Sequence, residues 1–252
     1  MTIIEIPILI GAGLLAGAWN AVAGGATLLT FPVLMAVGLP PIMANATNFL
    51  ALSPANLFAL PPYLPELRQI GRRLIPILAI AGAGAAVGSV LLIHSDPTVF
   101  EALIPVLLLI ATVLFASGDW CRVRLLALAG EAGSARIVHV ALFLVSIYGG
   151  YFGAGAGVIL LALGQLLGYS DFHVANAIKN ATATFFMLIS IVLFGIGGLI
   201  AWPQALLMMG GAALGGYFGG RMAKGIDPRV LRTGVTAFGL VLTVVYGVRV
   251  LS

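Results

Sequence analysis

The sequence predicts an all-α, polytopic transmembrane bundle built from two inverted-topology repeats. Each repeat is a re-entrant or broken helical hairpin followed by three spans. Three observations predict this: an apolar composition, an internal repeat at a fixed offset, and a one-sided distribution of arginine and lysine. Of 252 residues, 61% are hydrophobic and only 8% charged, whereas a soluble domain averages about a quarter charged. Apolar runs long enough to cross a bilayer recur along the chain. The short alternating segments of a transmembrane barrel are absent. The net charge of +4 does not point to nucleic acid, because the basic residues sit in connections between spans.

The first element covers residues 1–37 and is broken at Ala23-Gly24-Gly25. The run ends in an A-x-A-like Ala21-Val22-Ala23, but residues 1–11 hold no Lys or Arg and do hold Glu5, so a retained membrane segment is expected rather than a signal peptide. The piece after the break, 26–37, would reach about 18 Å as a helix, roughly half a bilayer. The turn Gly38-Leu39-Pro40-Pro41 leads into 44–60, which carries Asn45, Asn48 and Asn56 and is expected to kink at Pro54. A polar, basic loop is expected over 61–73 and spans over 74–93 and 100–116. A second basic loop, 117–136, holds Cys121, the one cysteine, so no disulfide can form within the chain. Residues 137–152 then enter a glycine-dense break at 149–157, followed by the short 158–167. Spans over 175–196, 204–222 and 230–248 complete the chain.

An offset of 131 residues carries Gly24 onto Gly155 and Ala44-Asn45-Ala46 onto Ala175-Asn176-Ala177. One gap also brings Gly17 onto Gly149. The expected division is a first repeat at 1–116, a cytoplasmic linker at 117–136 and a second repeat at 137–252. The segments 61–73, 117–136 and 221–232 hold ten of the twelve Lys and Arg residues, and 94–99 and 197–203 hold none. The positive-inside rule makes the three rich segments cytoplasmic and both termini external. The first hairpin then enters from outside and the second from the cytoplasm, an inverted arrangement familiar from secondary transporters.

Residues 175–184, ANAIKNATAT, are the most polar start of any apolar segment. Asn176, Lys179 and Asn180 share one helix face, and Thr184 continues it. An ionisable group within a span is a candidate functional residue; equally, Lys179 near a helix start can snorkel to the interface, with Asp171 or His173 as a salt-bridge partner. Asn45, Thr47 and Asn48 from one half, with Asn176, Asn180 and Thr182 from the other, offer uncharged hydrogen-bonding groups suited to a small oxyanion. Each can also serve as interhelical glue. Gly24, Gly25, Gly153, Gly155 and Gly157 permit unwound backbone whose free N–H groups attract anions, or close helix packing. Gly153-Ala-Gly-Ala-Gly157 has no preceding strand, so a dinucleotide site is excluded. No H-E-x-x-H, G-x-S-x-G or Cys/His cluster supports catalysis, a metal or a cofactor.

The run GAWNAVAGGATLLTFP at 17–32, the following Gly38-Leu39-Pro40 and the Ala44-Asn45-Ala46-Thr47-Asn48 run resemble the first half of the sulfite exporter TauE/SafE family. Residues 149–161 followed by 175–182 are similar to its second half. The first break reads A-G-G-A rather than a longer glycine run, and Ile178-Lys179 stands where the family often has Gly-Thr. The resemblance implies a bacterial inner-membrane transporter of small sulfur-containing or organic anions. It makes the Thr47-Asn48 and Lys179-Asn180 neighbourhoods and the two glycine breaks the substrate-lining segments. Export of sulfite or an organosulfonate by alternating access is therefore expected. The alternatives are a passive anion channel of the same fold and a non-transporting membrane scaffold. The expected partners are a small anion and the lipid bilayer, with a homodimer left open.

Overall fold

A computed structural model describes residues 2–22, 25–129, 135–169, 171–222 and 228–251. These form thirteen α-helices and, among the described residues, no strand. Three helical stretches, Pro61–Ile93, Pro97–Ala116 and Phe172–Ile196, are each long and apolar enough to cross a membrane. Gly24 lies outside the described residues.

The first hairpin consists of α1 (Glu5–Val22) and α2 (Thr27–Ala36). Gly25 at the break has φ +80, a left-handed conformation that a side chain would strain. The second hairpin repeats the plan later in the chain, with α9 (Ala135–Tyr151) and α10 (Ala156–Leu166). Its break contains Gly153 and Gly155, both at φ +79. Tyr148 Oη donates to the Ala154 carbonyl at 2.7 Å and fixes the bend. The short partners have 10 and 11 residues, about 15 Å each, so neither crosses a bilayer alone.

Several boundaries differ from expectation, each for a local reason. α3 (Pro41–Ala51) starts three residues early, because Pro41 is pre-set for a first helical turn. The expected kink at Pro54 is a full break: α3 ends at Ala51, with Leu52 as its C-cap, and α4 (Ser53–Phe58) restarts with the proline in its first turn. Residues 61–73 are helical rather than a loop. They comprise a 3-10 turn at Pro61–Tyr63, α5 (Leu64–Ile70) and a second 3-10 turn at Gly71–Arg73. Here Pro62 and Pro65 sit at helix starts, where proline is favourable. The 117–136 linker is likewise mostly helix, α8 (Gly118–Ala129), which packs against α10.

α6 (Leu74–Ile93) runs the length of the bundle from the arginines at 68–73 to the connection at 94–96. α7 (Pro97–Ala116) returns, capped by Asp96, whose carboxylate accepts from Thr98 N at 2.8 Å. α11 (Phe172–Ile196) starts at Phe172 rather than at Ala175, because Asp171 accepts from His173 N at 2.7 Å and Val174 N at 3.4 Å. α12 (Trp202–Met222) and α13 (Pro228–Leu251) follow. Contacts of α11 with α5 and with the Pro61–Tyr63 turn put the start of α11 at the arginine end. Connections 94–96 and 197–201 lie at the far end.

Glycine drives the tightest packing. α1 lies along α12, and α6 along α9. A Cβ on Gly13 or Gly17 would overlap the carbonyls of Met208 or Ala212, and one on Gly211 or Gly215 those of Ile10 or Leu14. Gly84 and Gly88 meet Phe143 and Ile147 in the same way, and Gly150 meets Ala85. These pairs are spaced four apart on the helix, so one bare stripe lets the two backbones touch. Between these helix pairs lies an apolar core with Phe31, Phe100, Phe152 and Phe194 fully buried.

Candidate functional site

The two helix breaks, the end of α3 and the polar start of α11 meet around one cavity of about 1110 Å³. Of the expected site residues, Gly25, Asn48, Gly155, Gly157, Asn176, Lys179 and Asn180 line it. Asn45, Thr47 and Thr182 do not; all three are buried in the packing around it.

Lys179 is the single charged side chain among the described residues that line the cavity. The early start of α11 sets it about two turns into the helix, roughly 10 Å along the axis. It is half-buried, and a Cβ at Gly157 would stand 3.8 Å from its Cδ, so the bare first turn of α10 makes room for its stem. Asp171 does not pair with it, since that carboxylate caps α11. Lys179 therefore lines the cavity from about two turns into α11.

Neutral polar groups surround it. Asn48 Nδ2 donates to Thr27 Oγ1 at 3.3 Å, while its Oδ1 accepts from Thr30 Oγ1, which ties α3 to α2. Asn176 Nδ2 donates to Tyr63 Oη across the arginine end of the cavity. Asn56 Nδ2 reaches Met187 Sδ at 3.2 Å, and its carbonyl accepts from Thr184 Oγ1 at 3.3 Å. Much of the remaining lining is apolar, with Phe115, Phe152, Val158, Leu161 and Phe186. An ammonium group, side-chain amides and the N-terminal turn of α10 together form a neutral-to-positive lining that complements an anion.

The cavity reaches the exposed Phe58 and Pro62 at the arginine end. Towards the far end it stops at Phe49 and Phe152. Behind them Phe31 packs edge-on to Phe152 at 5.4 Å and Phe194 edge-on to Phe49 at 5.3 Å. Polar ties back this layer. Asn45 Nδ2 donates to the Tyr151 carbonyl at 2.8 Å, and Thr47 Oγ1 accepts from Ala201 N at 3.0 Å. Ser95 Oγ and Tyr151 Oη lie 3.2 Å apart. Asn45 and Thr47 thus belong to the closed layer and not to the cavity.

Sequence reasoning missed Tyr63, Thr27 and Thr30. Tyr63 was hidden in a segment read as a loop. The threonines are three apart in a short half-helix, a polar stripe that could have flagged them.

The family model for "Sulfite exporter TauE/SafE" matches residues 9–246. The chain is 32% identical over 251 residues to a probable membrane transporter protein of Haemophilus influenzae, covering 94% of this chain and 92% of that protein. It is 27% identical over 259 residues to the probable membrane transporter protein YfcA of Escherichia coli, with 94% and 89% covered. A probable membrane transporter protein of a Sinorhizobium species, ORF9, is 26% identical over 227 residues, with 85% and 82% covered. No solved structure matches. The chain belongs to the sulfite exporter TauE/SafE family of membrane transporters.

Proposed function

We propose that this protein is a secondary transporter that exports a small sulfur-containing oxyanion, sulfite or an organosulfonate, across the bacterial inner membrane by alternating access. The observation that carries this reading is the cavity with one ammonium, Lys179, set among amide side chains and a helix N-terminus. Lys179 offsets the charge of the anion, while Asn48, Asn176 and Asn180 replace part of its water shell. Gly25, Gly155 and Gly157 let backbone approach the ligand. Asn45 and Thr47 tie the helices that carry these groups, and Thr182 packs beside them in the buried layer.

The inverted-repeat reading draws support from helix contacts. Pairing α1 with α9, α2 with α10, α3 with α11, α6 with α12 and α7 with α13 reproduces the main neighbours of these helices. α1 lies on α12 and α9 on α6; α3 meets α12 and α11 meets α6; α2 reaches α13 and α10 reaches α7. With the positive-inside orientation, the arginine end is cytoplasmic and the cavity faces inward. An inside-negative potential then favours anion exit by about 2.3 kcal/mol per charge per 100 mV.

The test is flux in proteoliposomes. A transporter gives saturable uptake of sulfite or a small sulfonate and accelerated exchange when unlabelled anion is loaded on the far side. Flux that rises linearly with concentration and lacks such exchange would identify a channel. Absence of any anion flux from a folded preparation would refute transport of this class.

A further inference from the structure

Two asparagines in matching places make unequal bonds. Asn45 in α3 and Asn176 in α11 coincide under the 131-residue offset. Asn45 crosses to the end of α9 and donates to the Tyr151 carbonyl, where it is fully buried. Among the described residues, Asn176 makes no such bond to the end of α1, the counterpart of α9. It instead donates to the Tyr63 hydroxyl beside the open cavity. The carbonyl of Trp19 or Asn20 occupies the place in the first half that the Tyr151 carbonyl holds in the second. Both bonds join one half of the chain to the other. The closed tie is also incomplete: Asn45 Oδ1 is buried with no partner. A buried acceptor left unmet weakens the state that buries it, so this tie is suited to release.

We infer that Asn45 and Asn176 are alternating latches, Asn45 holding the far end shut in this state and Asn176 holding the arginine end shut in the opposite one. The inference rests on the reading of inverted halves and alternating access. When the far end opens, Asn45 leaves the Tyr151 carbonyl and its two amide groups gain water or substrate. Asn176 then leaves Tyr63 and donates to the backbone at the end of α1, closing the cavity mouth. Tyr63 is a positioning residue, which parks Asn176 while the cavity is open to the cytoplasm. A conformational equilibrium shifts by the difference in what each state loses. Asn176→Ala loses a bond in both states. The Tyr63 bond, however, lies beside the open cavity, where water can replace it, whereas the closing tie to α1 is buried. Removing Asn45 and removing Asn176 therefore bias the equilibrium in opposite directions.

The experiment measures thiol labelling from the outer face. In a Cys121→Ser background, Ala183→Cys places a reporter one turn beyond Lys179 on the cavity wall. Right-side-out membrane vesicles are treated with an impermeant thiol reagent and the labelling rate is read by mass shift. Asn45→Ala is expected to speed outer labelling about tenfold, and Tyr63→Phe, a milder change, to speed it in the same direction. Asn176→Ala is expected to slow it. Shifts in the same direction for Asn45→Ala and Asn176→Ala, or no shift in either, would overturn the latch assignment. Sulfite and sulfonate flux through the reporter protein is measured in parallel. Saturable flux with unshifted labelling overturns the latches alone, whereas opposite labelling shifts without any flux uphold the latches and refute the anion.

Discussion

Single side chains set the local terms of this fold. Asp171 begins α11 three residues before the periodic apolar pattern does, and this sets Lys179 about two turns into the helix. Asp171→Ala is expected to destabilise the protein by about 0.5–2 kcal/mol, the usual loss for an N-cap, seen as a lower melting temperature in detergent. At the opposite end of the molecule Asp96 caps α7. Hydrogen bonds from the Thr98 side chain and from the backbone at Thr98 and Val99 hold its carboxyl below its ordinary pKa. A carboxylate stabilised in the folded state contributes at neutral pH and loses that contribution as pH falls through its lowered pKa. The gap in melting temperature between wild type and Asp96→Ala is therefore expected to persist at pH 7 and narrow below about pH 4. Asn48→Ala severs the ties from α3 to Thr27 and Thr30, each worth about 1 kcal/mol in a membrane interior. It is expected to lower both stability and flux, whereas Asn180→Ala, with no such tie, lowers flux more than stability.

At the scale of elements, glycine decides which helices can touch. Gly88→Ala forces a methyl into the Ile147 carbonyl, and Gly215→Ala forces one into that of Leu14. Overpacking of this kind costs about 1–3 kcal/mol, read as a loss of melting temperature. Gly11 has open space around it, so Gly11→Ala is expected to be neutral or to gain up to about 1 kcal/mol of helix propensity. The hairpins were legible because each break concentrates glycine between apolar runs, and the left-handed residues 25, 153 and 155 follow from that chemistry. The helical content of 61–73 was not legible by polarity, since Arg68, Arg72 and Arg73 mask a segment whose prolines begin short turns. The partners of the asparagines were also beyond the sequence. An amide side chain announces that it will hydrogen-bond, not whether it bonds across a cavity, as Asn176 does, or within a packed layer, as Asn45 does. Lys179 could be singled out because a charge in an apolar run is costly wherever it points.

For the whole molecule, we propose one orientation from the charge bias. With 61–73 and 117–136 in the cytoplasm, the C-terminal end of the chain is expected to face outward. Alkaline phosphatase fused there is expected to be active and a green fluorescent fusion dark; the reverse pattern would invert the bundle and turn the cavity to the outside. The central claim, however, is chemical: the cavity holds an anion against Lys179. The most direct test compares sulfite and sulfonate flux through wild type, Lys179→Gln and Lys179→Arg in proteoliposomes under an imposed potential, with melting curves to verify folding. The account predicts at least a tenfold loss of flux for the neutral variant, or about 1.4 kcal/mol, and partial retention for arginine. Undiminished flux through folded Lys179→Gln would contradict it and leave the amides and the helix N-terminus to bind the anion without a counter-charge.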